Sequence, residues 1–199
     1  MLQDKVTVNR QVARTREWIF SALIQLLNKQ AYDEISISQI TDKAGVARQT
    51  FYRNYQNKDD IIIKYIDTIF DEFVTEIKIM QNAEDVSAVY TLFFQVLLRH
   101  KSELMAIKEA SLDHLLFNVF WSYHRVFLQF FYVDNQETNQ TFNEYFIKYQ
   151  LGGIISIILE WLQNSMQSEP EELGMIIDKI TQPFKHQVSY LPMLLHNIK

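Results

Sequence analysis

Apolar positions recur at helical spacing along most of this chain. Over residues 9–30, Ile19, Leu23 and Leu26 share one face with Trp18 and Ala22 beside them, which predicts a first helix. Ile62, Ile66, Ile69, Phe73, Ile77 and Met80 form a single stripe over about five turns and predict a long helix opening at Lys58. Helices are expected over residues 86–100, 102 to about 111 and 113–132, with the polar run 133–137 as a loop. Residues 138 to about 166 carry two stripes, Phe142, Phe146, Tyr149, Gly153, Ile157, Trp161 and Leu151, Ile155, Ile158, Leu162. A surface helix needs only one apolar face, so this one should be covered on both sides, by its own domain and by something else. A last helix opens around Pro170, with proline early and acids in the first turn, and ends before Pro183. The tail 184–199 is apolar but contains Pro192, and no element is assigned to it.

Residues 33–55 hold the sharpest local signal. Ser36-Ile37-Ser38-Gln39 reads as a capping box, in which the serine hydroxyl and the glutamine side chain satisfy each other's backbone N–H groups. A short helix burying Ile37, Ile40 and Ala44 should follow, ended by Gly45 in the left-handed conformation. A second short helix then carries Arg48-Gln49-Thr50-Phe51-Tyr52-Arg53-Asn54-Tyr55. Two short helices joined by a tight glycine-containing turn make a helix-turn-helix. Asn57 is the expected cap of the long helix.

Composition sharpens this picture. Only four glycines and three prolines occur in 199 residues, with no proline before Pro170, too few for the turns of a sheet-rich fold. An all-α fold is predicted. Without cysteine there is no disulfide, thiol nucleophile or cysteine-ligated metal. The longest apolar run, residues 151–159, is too short to span a bilayer, and the basic N-terminus lacks the apolar stretch of a secretory signal. The expected location is cytoplasmic. Residues 1–64 carry ten Lys/Arg against seven Asp/Glu, whereas the remainder carries nine against seventeen. Any polyanion should therefore meet the N-terminal part. Arg10, Arg14 and Arg16 crowd the start of the first helix, where the dipole disfavours cations; they are either a solvated basic end or serve something other than helix stability.

The run S-I-S-Q-I-T-D-K-A-G-V-A-R-Q-T-F-Y-R-N-Y-Q-N-K at residues 36–58 resembles the TetR family of bacterial transcriptional regulators. The pattern lies in Ile40, Ala44-Gly45-Val46, Thr50-Phe51-Tyr52, Tyr55 and Asn57-Lys58-Asp59, and the likeness reaches forward to Trp18 and Ile19. Tyr149 to Gly153, Trp161-Leu162 and residues 168–173 more loosely resemble the last two helices of one group of these regulators. Ala47 departs from the pattern, standing where a hydroxyl residue often starts the recognition helix, and Thr41 stands where alanine is common.

The resemblance implies a three-helix DNA-binding head over residues 1–57 and a helical ligand-binding and dimerisation domain over 58–199. It further implies a homodimer on a palindromic double-stranded operator, controlled by a small hydrophobic ligand and acting as a repressor. The alternative is a co-regulator of the same fold that acts through a protein partner. Expected DNA contacts are Ser36 and Ser38 at a helix N-terminus, Arg48, Gln49, Thr50 and Asn54 on the recognition helix, and Tyr52 and Lys58 on the phosphates. Phe94, His100, Phe120, Tyr123 and Phe127 are the expected ligand-pocket residues, although aromatic residues at this spacing also suit a plain core. Ile155, Ile158 and Leu162 are the expected dimer face. His100, His114 and His124 lack metal-ligand spacing, and no nucleophile–base motif or phosphate-cradling loop is visible, so no metal, cofactor or catalytic residue is expected.

Overall fold

The computed structural model describes residues 2–80, 85–123 and 140–181, and within them every regular element is helical. The first helix, α1, spans Leu2–Leu27; a 3₁₀ turn at Tyr32–Glu34 leads to α2 (Ile37–Ala44), α3 (Arg48–Asn54) and α4 (Lys58–Ile79). The second part contains α5 (Val86–Arg99), α6 (Lys101–Glu109), α7 (Asp113–Ser122), α8 (Gln140–Gln163) and α9 (Pro170–Thr181). The helix expected over residues 113–132 stops at Ser122, where Tyr123 turns the chain; the rest of that span, the loop at 133–137 and the tail 184–199 lie outside the described residues. α8 ends three residues earlier than its apolar pattern does. Ser165 and Met166 adopt positive φ, and the Met166 N–H donates to the Trp161 carbonyl at 2.7 Å, folding the last apolar side chain back under the helix.

Local chemistry at the helix ends follows the sequence closely. The Ser36 Oγ accepts from the Gln39 N–H at 3.2 Å, while Gln39 Oε1 accepts from the Ser36 N–H at 2.8 Å, closing the capping box. Gly45 takes the left-handed conformation, φ 67° and ψ 32°, that ends α2. Asn57 caps α4 by accepting from the Asp60 N–H at 2.9 Å. Ala47 precedes α3 with no side-chain cap bond, as expected for a residue without a hydroxyl.

α4 buries Ile61, Ile62, Ile66, Ile69, Phe70, Phe73 and Ile77 and packs against α1, α5 and α7. On its head side, Tyr65 stacks on Phe20 of α1 with ring centroids 3.6 Å apart. The same Tyr65 hydroxyl lies 2.8 Å from His100 Nδ1 at the α5–α6 corner, and His100 Nε2 lies 2.8 Å from Glu72 Oε2. Arg99 completes the set by pairing with both Glu72 and Glu76. Burial pushes the Glu72 carboxyl up, but the bonds from His100 and Arg99 outweigh it and hold the group below its ordinary range.

α5 and α9 form the most extensive helix pair and run antiparallel: Glu171 meets Gln95 at 2.7 Å, and Gly174 meets Thr91 and Ser87. A Cβ on Gly174 would fall on the Thr91 hydroxyl and 2.7 Å from the Ser87 carbonyl oxygen. Glycine is required there for the backbones to approach. Gly174→Ala should lower the unfolding free energy by about 1–3 kcal/mol through overpacking, measured by urea denaturation; an unchanged midpoint would show that the pair can separate at no cost.

The Glu72 set sets a pH dependence. A carboxyl held below its ordinary range contributes stability above that range and loses it as pH falls through the lowered value. Glu72→Gln should therefore destabilise the protein at neutral pH, and the gap to wild type should close on acidification. Exposure of the pair keeps the effect modest. Parallel stability–pH curves for the two proteins would contradict this.

Candidate nucleic-acid interface

On α3 the side chains divide cleanly by face. Phe51 is buried, edge-on to Tyr52 and tilted against Tyr55, and it fixes the helix to the head. Arg48, Gln49, Tyr52 and Arg53 are exposed on the other side, and Thr50 is half-buried at the margin. This i, i+1, i+4, i+5 set is one contiguous stripe on a helix. It combines a guanidinium, a carboxamide and a phenol, groups that read base edges or clasp phosphates. Arg53 belongs to the stripe although the sequence reading passed over it; its spacing from Gln49 was the available signal.

Two of the other expected contacts are engaged inside the head. Asn54 is 9% exposed, and its Nδ2 donates to the Thr50 carbonyl at 2.8 Å. Its own carbonyl accepts from Lys64 Nζ at 2.6 Å, tying the end of α3 to α4. The expectation that Asn54 faces DNA is therefore corrected: its amide satisfies backbone at a helix end, where burial would otherwise strand a carbonyl. Lys58 Nζ donates to the Tyr32 carbonyl at 2.7 Å and lies 4.4 Å from the centre of the Tyr32 ring. Tyr32 in turn donates its hydroxyl to Asp59, so the first turn of α4 is pinned to the turn before α2. Burial, with the nearby Asp59, raises the Tyr32 phenol well above its ordinary range.

Ser36 is exposed at the N-terminus of α2 and Ser38 is half-buried within its first turn. The Ser36 hydroxyl is shared with Gln39 in the capping box. Thr41, the departure from the family pattern, is buried with its hydroxyl donating to the Ser38 carbonyl at 2.9 Å, so the extra polar atom is satisfied.

Farther along the chain, the expected pocket residues are packed or bonded to one another. Phe94 and Phe120 are fully buried, Phe94 edge-on to Trp161 at 5.1 Å and Phe120 edge-on to Phe70 at 5.3 Å. Tyr123 stacks on Phe70 at 4.0 Å and donates its hydroxyl to Asp67 at 2.8 Å, and His100 is held between Tyr65 and Glu72. Burial raises the Asp67 carboxyl above its ordinary range, against the lowering bond from Tyr123. The pocket reading of Phe94, His100, Phe120 and Tyr123 is corrected accordingly, because rings at helical spacing fill the space between α4, α5, α7 and α8. Phe127 lies outside the described residues. An open groove of about 760 Å³ lies elsewhere, lined by Ile79, Met80, Ala88, Leu92, Gln95 and Met175 among others.

The expected dimer face is corrected as well. Ile155, Ile158 and Leu162 are at most 2% exposed within the single chain, so they belong to its own core. What α8 and α9 leave exposed are Tyr145 and Tyr149 on one and Met175, Ile176 and Ile180 on the other. Added Cβ atoms at Gly152 and Gly153 would meet nothing within 4 Å, so no helix among the described residues crosses there.

Comparison with known proteins agrees with this architecture. The model of bacterial regulatory proteins of the tetR family matches residues 19–65, and one described as a transcriptional regulator C-terminal region matches residues 84–183. The HTH-type transcriptional regulator YxbF of Bacillus subtilis (strain 168) is 27% identical over 178 residues, covering 84% of this chain and 44% of that protein. The HTH-type dhaKLM operon transcriptional activator DhaS of Lactococcus lactis subsp. lactis (strain IL1403) is 32% identical over 62 residues, 31% of this chain and 33% of that protein. The chain thus spans less than half the length of these curated relatives in the aligned regions. A TetR transcriptional regulator from Streptococcus agalactiae 2603V has the same fold, with a TM-score of 0.59 at 14% identity over 88% of this chain and 98% of that one. Among the described residues, no helix is long and apolar enough to cross a membrane. With the family model on the head, the second model over half of the chain and the exposed stripe on α3, this chain belongs to the TetR family of DNA-binding transcriptional regulators.

Proposed function

We propose that the protein works as a homodimer on a near-palindromic operator, with its occupancy set by a small effector and repression as its mode. The observation that carries the DNA reading is the exposed stripe Arg48, Gln49, Tyr52 on a helix whose opposite face is locked into the head by Phe51. One such helix covers only a few base pairs; a two-fold pair placed about 34–36 Å apart would reach successive major grooves.

Dimerisation is supported by the apolar side chains that α8 and α9 leave in solvent. Tyr149 is 71% exposed and Met175 60%, more than a monomer's surface needs, and the open glycines at 152 and 153 would let a partner helix approach. Effector control is supported by the Phe20–Tyr65–His100–Glu72 contacts, which join the head to the α5–α6 corner through α4. An effector that favours one position of that corner would shift the heads toward or away from operator spacing. Repression requires only that the dimer occupy its site. DhaS, similar over 31% of this chain, is named as an activator. Deleting the gene in its host should raise transcription from the bound promoter; a fall would assign activation instead.

Arg48→Ala should weaken binding to a duplex selected from a random pool by about 1–3 kcal/mol and relax the preference at one base pair per half-site. Equal loss on every sequence would make Arg48 a phosphate contact. For the interface, Tyr149→Asp combined with Ile176→Asp should give folded monomers with lost operator affinity, since charge in a dry interface costs several kcal/mol. Sedimentation showing an intact dimer would place the interface elsewhere. Ile155→Asp, in contrast, should unfold the subunit.

A further inference from the structure

The first helix runs over 26 residues. From residue 11 onward, the buried core takes Ile19, Phe20, Ala22 and Leu23, whereas Gln11, Ala13, Arg14, Arg16, Glu17 and Trp18 are exposed. Because α1 opens at Leu2, Arg14 and Arg16 stand beyond its first turn, where the dipole no longer disfavours cations. Its basic residues part company in the structure. Arg14 lies over the Trp18 ring, 5.0 Å from the centroid, on α1 itself. Arg16 instead turns toward α3.

Between α1 and α3 lies a cleft of about 510 Å³, lined by Gln11, Thr15 and Arg16 from one side and Thr50 and Arg53 from the other. No carboxylate lines it, and neither arginine forms an ion pair among the described residues. The Thr15 hydroxyl and the Asn54 amide are spent on the Gln11 and Thr50 carbonyls, so what the cleft offers is two guanidiniums with no carboxylate beside them, an arrangement that favours an anion. Its position is fixed: the Tyr55 hydroxyl donates to the Arg16 carbonyl at 3.5 Å, holding α1 against the end of α3. Burial raises the Tyr55 phenol to about 12, against the lowering charge of Arg16, so it stays a donor at neutral pH. Arg53 is also the last member of the exposed stripe that carries Gln49 and Tyr52, so the cleft is continuous with the reading face.

We propose that this cleft is a second DNA contact, in which Arg16 and Arg53 together hold a backbone phosphate at the flank of each half-site. The anion that reaches a cleft open to solvent and continuous with the recognition helix is the sugar–phosphate backbone itself. Such a contact fixes register and adds affinity on every sequence, and α1 then serves as a buttress along the duplex.

The test measures affinity against salt for wild type, Arg16→Gln, Arg53→Gln and the double variant, on a duplex selected from a random pool and on the unselected pool. Because the two arginines share one phosphate, the double variant should lower the salt slope by about one unit per protomer and each single change by part of that, all weakening both duplexes alike. The exposed Lys78→Gln, at the far end of α4, removes the same charge and should leave the slope unchanged. Thermal melts that match wild type establish that the head is folded. Unchanged slopes for Arg16→Gln and Arg53→Gln would overturn the proposal, as would losses confined to the selected duplex. Release from DNA by inorganic phosphate, at an ionic strength where chloride has no effect, would make the cleft a free-anion site and overturn its assignment to DNA. Wild-type binding to the selected duplex in the same titrations keeps a failure here separate from a failure of operator binding.

Discussion

One helix ties the head to the second part. α4 buries Ile61, Ile62, Ile66, Ile69, Phe70, Phe73 and Ile77 in one continuous hydrophobic cluster, with Tyr65 stacked on Phe20 of the head and Phe70 and Phe73 against Phe93 of α5. Burying a residue of this kind is worth roughly 1.5–3 kcal/mol, and α4 buries seven. Neither half can therefore shift far without disturbing side chains that the other half also packs. The remaining contacts elaborate this constraint. Lys58 and Asp59 pin its start to Tyr32, Lys64 reaches back to Asn54, and Tyr65, Asp67 and Glu72 each find a partner on a different element.

The recognition helix shows the opposite economy. With Ala47 offering no cap and seven residues in all, α3 is too short to persist alone. It is held by Phe51 beneath, by the glycine turn before it and by Asn54 at its end. The Asn54 amide and carbonyl that hold its end are buried. The outer side keeps Arg48, Gln49 and Tyr52 clear of internal duties, which is what a reading surface requires.

Much of this was legible in the sequence, because local chemistry decides it. The capping box at Ser36–Gln39, the left-handed Gly45, the Asn57 cap and the α4 stripe each depend on residues within a turn or two. What failed depended on distant parts of the chain. Two stripes on α8 announce two covered faces, but periodicity says nothing about which face the chain keeps for itself, and it keeps Ile155, Ile158 and Leu162. Asn54 has the chemistry of a base contact and also of a helix-end amide; only its burial in the folded head, with the amide on the Thr50 carbonyl, distinguishes them. The aromatic set around Phe94 and Phe120 suited a pocket or a core equally well until α4 and α8 were seen to fill the space with Phe70 and Trp161. The crowded arginines of α1 were visible from the start, yet their separation into one stacked on Trp18 and one facing α3 needed the fold.

The position of Glu72 along α4 has a consequence in leverage. Clamped there by His100 and Arg99, the helix runs a further fourteen residues back to Lys58, roughly 21 Å at 1.5 Å per residue. Treated as a rigid rod pivoting at that clamp, it converts a tilt of about 6° into a displacement of roughly 2 Å at the head end. In the homodimer proposed above, two heads moving oppositely would double that change, a sizeable error if paired helices are to enter successive grooves of a stiff duplex. A small angular adjustment at one polar cluster, well short of any refolding, is thus mechanically sufficient to separate a spacing that fits DNA from one that does not.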